Sequence, residues 1–174
     1  MDIMPIVISI TVFGSIKIQA IGLQPHRWKY LERIMYQISF VETEEQLKQV
    51  LDFCYNILGQ HLRDAENYRY EDWKERLEND NKLLVYAHEN GHVISAVLGR
   101  RETAESLVCG FAACEAGHRR QGITGRLMDR FEEEANRAGF RYITLGSDAD
   151  GFYEKCGCRK ICETEGQNIY QKLL

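Results

Sequence analysis

The sequence predicts an α/β (α+β) domain whose elements follow the order β-α-α-β-β-β-α-β-α-β-β over residues 35–174. Three observations carry that reading. Apolar residues alternate at every second position in some segments and recur every three or four in others, so strand and helix periods share one chain. No Gly/Ser/Pro-rich linker or repeat interrupts residues 35–174, since both prolines, Pro5 and Pro25, lie upstream. The 174 residues, 44% of them hydrophobic and 28% charged, suit one globular domain. Such a chain buries roughly 70% of its unfolded surface without disulfides or a structural metal.

Met35 to Val41 reads as a strand. Thr43 with Gln46 makes a capping box ahead of Leu47, Val50, Leu51, Cys54, Ile57 and Leu58, which recur at helical spacing. A second, charged helix from about Tyr70 to Asn79 carries Trp73 and Leu77 on its inner face. Lys82 to Ala87 and Val93 to Leu98 are apolar runs joined by a loop containing Asn90-Gly91, the strongest short hairpin signal, so they pair antiparallel. Ser106 to Cys114 is a further strand. It runs into the basic, glycine-bearing stretch 117–125, where a long helix begins with Ile123, Leu127, Phe131 and Ala135 on one face and Gly139 as its stop. Tyr142 to Leu145 is a strand and Gly151 to Lys155 a short helix; Cys158 to Thr164 and Asn168 to Leu173 close the chain as strands.

Upstream, Ile3 to Ile16 carries no charge and is rich in β-branched residues. A secretory signal wants positive charge where Asp2 stands. Lys17 and Gln19 interrupt the run and no small-residue cleavage site follows, so neither a signal nor a membrane span is expected. Ile6, Ile8, Ile10 and Val12 alternate, Gly14-Ser15 is a two-residue turn with glycine first, and Ile16, Ile18 and Ala20 resume the alternation. Residues 1–34 are thus expected to hold a β-hairpin. An uncovered hydrophobic hairpin aggregates, so it is expected to pack on a sheet edge or on a second subunit, which makes a homodimer one expected assembly. The alternative is that Met35 is the natural start and residues 1–34 are an upstream extension.

The 22 basic and 26 acidic side chains give a net charge of −4, which argues against a nucleic-acid surface. The six cysteines form no C-x-x-C pair, and Cys156, Cys158 and Cys162 fit no common zinc spacing. Reduced thiols packing as small apolar residues in a cytoplasmic protein are expected, with no metal, no nucleic acid and no membrane as partner.

A strand that runs into a short glycine-rich loop and then a helix leaves the helix's first backbone N–H groups unpaired and aimed at one point, where an anion fits. Arg119 and Arg120 add positive charge, and Gly122 and Gly125 let a pyrophosphate approach the backbone with no side chain in the way. The alternative for the same residues is a solvated basic turn. A P-loop needs lysine and then Ser or Thr after its second glycine, whereas Arg126-Leu127 follows Gly125. A dinucleotide fingerprint opens after the first strand of a βαβ unit, whereas this turn follows three strands in sequence.

Arg119-x-x-Gly122-x-Thr124 followed by Leu127 and Met128, and further on Phe152-Tyr153-Glu154-Lys155-Cys156-Gly157-Cys158, resembles the GNAT superfamily of N-acetyltransferases. That family's signature is R/Q-x-x-G-x-G/A at the start of its third helix and a later F-Y-E-K-x-G-F. The resemblance covers residues 35–174. It implies a mixed, mostly antiparallel twisted sheet of about seven strands with helices on both faces. It also implies a V-shaped splay between strands four and five, here Ser106 to Cys114 and Tyr142 to Leu145. The implied cosubstrate is acetyl-CoA, its pyrophosphate on the amides of Arg119, Arg120, Gln121, Gly122, Thr124 and Gly125, its pantetheine arm along Ala112 to Cys114 like an added strand. Where the family often has an asparagine that touches the cofactor, the chain has Gly146, with Ser147 or Asp148 as substitutes. Thr124 replaces the usual Gly or Ala, which keeps the amide and adds bulk, and Ala116 stands where many members have proline.

An amine with a pKa of about 10 must lose its proton before it attacks a thioester. The tetrahedral oxyanion then needs a donor, for which the resemblance implies a strand N–H, that of Cys114. The departing thiolate needs a proton, and Tyr153 stands at the family's position for that acid; a core aromatic is the alternative. Some members carry a carboxylate base on the fourth strand, but Ser106 to Cys114 has none. Glu115 reads as a solvated loop residue and His118 as a surface or phosphate contact, so a water relay is the expected route for the proton. In the family the acceptor is chosen mainly by the first two helices and their connection, here His61 to Trp73. Its carboxylates Asp64, Glu66, Glu71 and Asp72 suit a cationic amine or simply form an exposed face, and Tyr68 and Tyr70 wall the cleft or pack in the core. The expected function is acetyl transfer to a primary amine of a small molecule by direct attack in a ternary complex. The alternatives are a protein N-acetyltransferase, a non-catalytic acyl-CoA-binding or sensing domain, and an interaction module assembled through the hairpin.

Overall fold

The computed structural model describes residues 8–10, 16–18, 36–78, 82–149 and 151–174, and the chain divides into two units, 1–35 and 36–174. In the first unit, strand β1 (Ile8–Ile10) lies antiparallel to β2 (Ile16–Ile18), with Ile10 opposite Ile16. Residues 11–15 therefore span the connection. This is not the register of a two-residue Gly14-Ser15 turn, which would set residue 13 against 16. The turn residues, and with them the question of what the hairpin packs on, lie outside the described residues.

In the second unit, β3 (Gln37–Phe40) leads through Thr43 into helix α1 (Glu44–Leu58). The capping box is formed in both directions. Thr43 Oγ1 accepts the Gln46 N–H at 3.2 Å, and Gln46 Oε1 accepts the Thr43 N–H at 3.1 Å. Helix α2 (Tyr70–Glu78) follows, then the hairpin of β4 (Lys82–Glu89) and β5 (His92–Arg101). Glu89 pairs with His92 across Asn90 and Gly91, whose positive φ values of 49° and 82° are those of a type I′ turn. The chain continues through β6 (Ser106–Cys114), α3 (Ile123–Arg137), β7 (Tyr142–Ser147), α4 (Phe152–Lys155), β8 (Arg159–Thr164) and β9 (Gln167–Leu173).

The sheet order is β3-β4-β5-β6-β7-β9-β8. Every neighbouring pair is antiparallel except β6 with β7. The sheet separates two apolar layers. Ile123, Leu127, Met128, Phe131 and Ala135 of α3 pack with Tyr153 of α4 over Val85, Val97, Leu107 and Cys109. Leu47, Val50, Leu51 and Cys54 of α1 pack with Trp73 of α2 over Leu84, Ala96, Leu98, Phe111 and Ala113.

One residue shapes the centre of this sheet. Leu98 pairs with Phe111 but Gly99 pairs with Cys109, so Gly110 is an extra residue in β6, a β-bulge. The bulge reverses the strand's facing. Leu107 and Cys109 pack in the α3 layer, whereas Phe111 and Ala113 pack in the α1 and α2 layer. Pairing of β6 with β7 stops at Val108 opposite Thr144. Beyond that point β6 pairs with β5 and β7 with β9, and the two parallel strands part to leave a V-shaped gap. Among the described residues, no helix is long and apolar enough to cross a membrane.

Candidate active site

The ladders fix which backbone groups line the gap. The Glu115 N–H donates to Ile94 O at 2.9 Å, so by alternation Ala113 and Phe111 direct their polar groups to β5, and Ala112 and Cys114 direct theirs into the gap. On the other wall, the Leu174 N–H donates to Arg141 O at 3.0 Å, which turns Leu145 and Ser147 toward β9 and Gly146 toward the gap. The Cys114 carbonyl is engaged, accepting from Arg119 Nε at 3.1 Å. What remains is a short row of strand-edge donors and acceptors that suits an extended chain laid in like another strand.

The gap opens toward the start of α3. Gly122 is the N-cap residue at φ 78°, a left-handed conformation that a side chain would strain, and it provides no side-chain cap. The first intrahelical bond runs from Arg126 N–H to Gly122 O at 3.1 Å, so the N–H groups of Ile123, Thr124 and Gly125 are left for an outside acceptor. A Cβ placed on Gly122 or Gly125 would meet nothing within 4 Å, and the approach to these amides is open. The loop is braced from within. Arg119 Nε closes it onto β6, and Gln121 Nε2 donates to Gly117 O at 3.0 Å; Arg119, Arg120 and Gln121 are all exposed. A diphosphate fits a helix mouth with these open amides and an adjacent guanidinium.

Thr124, which stands where the resemblance expects Gly or Ala, has a structural use. The buried Ser95 hydroxyl donates to Ala113 O at 2.9 Å and lies 3.0 Å from Thr124 Oγ1. With the serine proton committed to the carbonyl, the threonine is the donor to Ser95. This chain of two bonds ties the first turn of α3 to the sheet. Reading the sequence did not single out Ser95, whose neighbours Ile94 and Ala96 mark only an apolar strand.

Tyr153 stands between the two diverging strands. Helix α4 ends on Gly157 at φ 82°, with Cys158 N–H bonded to Tyr153 O at 2.9 Å and Gly157 N–H to Glu154 O at 3.0 Å. This is a Schellman closure, and it supplies a physical reason for the glycine of the F-Y-E-K-x-G pattern. Lys172 on β9 donates to Cys156 O at 2.6 Å and pairs with Glu132 of α3, which anchors the turn. The buried Tyr153 ring packs on Phe152 at 4.9 Å and Tyr170 at 5.6 Å between centroids. Burial raises the phenol's pKa well above its ordinary value, with Cys109 of β6 adding to the rise and a hydrogen bond with Ser147 of β7 opposing it. Such a phenol stays protonated at neutral pH. Ser147 Oγ also accepts the Ala149 N–H at 3.0 Å. The Ser147 side chain thus serves Tyr153 and its own turn, and the backbone facing the gap in this segment is that of Gly146.

The candidates for a base gather at the other end. His118 Nδ1 lies 2.8 Å from Glu115 Oε2 and its Nε2 3.6 Å from Glu89 Oε2, while His92 Nε2 lies 3.2 Å from Glu115 Oε1. The hydrogen bond with His92, helped by His118, holds the Glu115 carboxyl below its usual range. Glu115 and His118 therefore pin the loop before α3 to the β4–β5 hairpin. In the α1–α2 connection and the first turn of α2, Asp72 is taken by Arg69 at 3.1 Å, and Asp64, Glu66 and Glu71 are exposed. Tyr68 packs on Phe111 at 5.2 Å, and the Tyr70 hydroxyl donates to Glu44 Oε1 at 2.8 Å. All six cysteines are free thiols, and among the described residues no group of three or more His, Cys, Asp or Glu could hold a metal ion.

Comparison with known proteins agrees with this geometry. Among curated proteins there is no match. Among solved structures, the PaiA N-acetyltransferase of Thermoplasma acidophilum in complex with coenzyme A superposes with a TM-score of 0.64 at 14% identity, covering 79% of this chain and 99% of that one. A GNAT-family acetyltransferase of Staphylococcus aureus Mu50 gives 0.65 at 16% identity, covering 79% and 99%. The ribosomal-protein-S18-alanine N-acetyltransferase of Escherichia coli gives 0.60 at 16% identity, covering 80% and 94%. At these identities the likeness is one of fold. The model of the acetyltransferase (GNAT) family matches residues 44–158, from the first residue of the capping-box helix to the residue before β8, and the chain belongs to that family.

Proposed function

We propose that the chain moves an acetyl group from acetyl-CoA to a primary amine of a small molecule, by direct attack within a ternary complex. The observation that carries this reading is the gap between β6 and β7, with the uncapped N-terminus of α3 at its open end and a protonated, buried phenol between its walls. The amides of Ile123, Thr124 and Gly125, with Arg120, hold the diphosphate; Ala112, Cys114 and Gly146 hold the pantetheine arm along the strand edges. When bound, acetyl-CoA supplies the thioester that the amine attacks. The Cys114 N–H donates to the acyl oxygen as negative charge develops there. Tyr153 gives its proton to the departing sulfur, a role its raised pKa supports because the proton is present at neutral pH. No carboxylate lies on β6 and Glu115 is engaged by two histidines, so the amine proton leaves through water.

The test is free-thiol release from acetyl-CoA over a panel of amines, with coenzyme A binding measured in parallel by calorimetry. Thiol release above the hydrolysis blank with at least one amine is the expected result. Coenzyme A binding without it would favour a non-catalytic acyl-CoA-binding domain, the reading that the carboxylate-free β6 supports. No heat with any CoA species would overturn both.

A further inference from the structure

Two arginines meet beside the gap on the face opposite the diphosphate cradle. Arg100 of β5 pairs with Val108, the last β6 residue joined to β7, so it stands level with the point where the strands part. Its guanidinium lies 5.8 Å from the Tyr68 ring, which packs in the α1 and α2 layer. Arg76 of α2 lies over the Trp73 ring at 5.0 Å. It is held by two bonds to Asn67, from Nη1 to the backbone O at 3.0 Å and from Nη2 to Oδ1 at 3.2 Å. Trp73 and Tyr68 both sit over the bulge, each 3.5 Å from where a Gly110 Cβ would be.

The positive charge at this point is only partly compensated. Burial lowers the proton affinity of Arg76 and the charge of Arg100 lowers it further, while Asp72 and Glu75 oppose the fall. Arg100 Nε and Nη1 are buried with no hydrogen-bond partner among the described residues. Among the described residues the Glu102 carboxylate stands 3.9 Å from Nε, with 54% of its side chain exposed. Buried donors without acceptors beside a like charge are costly, and a planar guanidinium fork is matched by a carboxylate. Nearby acidic residues relieve it only in part, since Asp72 is engaged by Arg69, and Asp64, Glu66, Glu71 and Glu75 face solvent.

We propose that Arg100 and Arg76 form a carboxylate-binding subsite of the acceptor pocket, and that the acceptor is an amine that itself carries a carboxylate, a free amino acid being the simplest. The inference rests on the acetyl-transfer reading for what happens to the amine, and on the arginine pair alone for what binds. An acceptor anchored by its carboxylate on the α2 side of Gly110 has its amine free to turn toward the gap.

The test sets free amino acids against the same amino acids as C-terminal amides. Each is titrated by calorimetry into the protein saturated with coenzyme A, and in parallel each is offered as an acceptor with acetyl-CoA. The expected result is that the best free acid binds on the order of tenfold or more tighter than its amide. Arg100→Gln reduces that ratio to about twofold or less with the affinity for coenzyme A unchanged. Arg76→Gln does the same and serves as the second variant should Arg100→Gln fail to fold by circular dichroism. Acids that bind no better than amides, or a preference that survives both substitutions, overturn the subsite. Acid binding that depends on the arginines with no thiol release upholds the subsite and refutes acetyl transfer. Equal turnover of acids and amides does the reverse.

Discussion

Replacing Tyr153 with phenylalanine removes one oxygen from a ring whose packing on Phe152 and Tyr170 is otherwise kept. The structural cost is the hydrogen bond shared with Ser147, worth about 1 kcal/mol, or a drop in Tm of about 2–4 °C for a domain of this size. The chemical cost is larger. If the phenol protonates the leaving sulfur, kcat falls on the order of 10²-fold, equivalent to about 2.7 kcal/mol of transition-state stabilisation. The affinity for coenzyme A should not change, because the amides at the mouth of α3 and along β6 are untouched. The assay is steady-state thiol release with the best amine of the panel, with calorimetric titration of coenzyme A and a thermal melt on the same samples. Because burial lifts the phenol's pKa, the wild-type kcat should show no descending limb from this group between pH 7 and about 9. Wild-type kcat in the variant would refute the role as acid. A parallel loss of kcat and coenzyme A affinity would assign Tyr153 to the architecture of the gap instead.

Three further outcomes follow from other parts of the molecule. Gly125→Glu should weaken coenzyme A binding by about tenfold or more without lowering Tm, since a Cβ there meets nothing within 4 Å and a carboxylate at a helix N-terminus is favourable; calorimetry showing unchanged affinity would exclude the helix mouth as the diphosphate site. Ser95→Ala should cost about 1–2 kcal/mol and weaken coenzyme A binding, because the Thr124 hydroxyl loses its acceptor and the first turn of α3 its tie to the sheet; wild-type values in urea melts and titrations would contradict this. Burial pushes the thiols of Cys109 up to about 12 and Cys158 up to about 11, and raises that of Cys54 as well. In the unfolded chain these thiols ionise near pH ~8.5, so the unfolded state releases protons first and folding stability falls as pH rises above that value, by up to about 1.4 kcal/mol per thiol per pH unit. Urea melts from pH 7 to 10 that showed no decline would count against the buried thiols.

The elements were legible because their signals are local. Thr43 and Gln46 are three positions apart and their reciprocal bonds form as the capping box requires. Asn90-Gly91 closes a hairpin because its two residues accept positive φ. The glycines at positions 122 and 157 mark, respectively, the start of α3 and the end of α4. What could not be read depends on registers and distant neighbours. In a regular strand Leu107, Cys109, Phe111 and Ala113 would share one face, and nothing in Cys109-Gly110-Phe111 announces that the bulge divides them between two layers. Ser95 and Thr124 meet across a strand and a helix, and Arg76 and Arg100 come from a helix and a strand. The charge pattern of residues 61–73 suited either a cationic amine or an exposed face, and it could not decide between them because exposed carboxylates satisfy themselves in water or with a neighbouring arginine.

The bulge would also let a diphosphate cradle and a carboxylate subsite that lie in different layers serve one reaction. Residues on the two faces of a continuous sheet are separated by a wall of ladder hydrogen bonds, and passing an acyl chain through it would leave donors and acceptors unpaired at about 1–3 kcal/mol each. Past Val108 the ladder between β6 and β7 is already undone, and the polar groups of Ala112, Cys114 and Gly146 are turned to the opening. A chain laid there from the α3 side would restore strand-like bonding as it crosses toward the α1 and α2 layer, where Trp73 and Tyr68 sit over Gly110. Filling Gly110 is therefore not the way to close the site, because a Cβ there makes only ordinary 3.5 Å contacts. Removing the extra residue should do so. Deletion of Gly110 should restore a regular ladder between β5 and β6 with Phe111 and Ala113 kept in the α1 and α2 layer, let β6 continue alongside β7, and abolish coenzyme A binding even in whatever fraction remains folded. A Gly110 deletion that folds and still binds coenzyme A with wild-type affinity would show that the bulge does not create the gap.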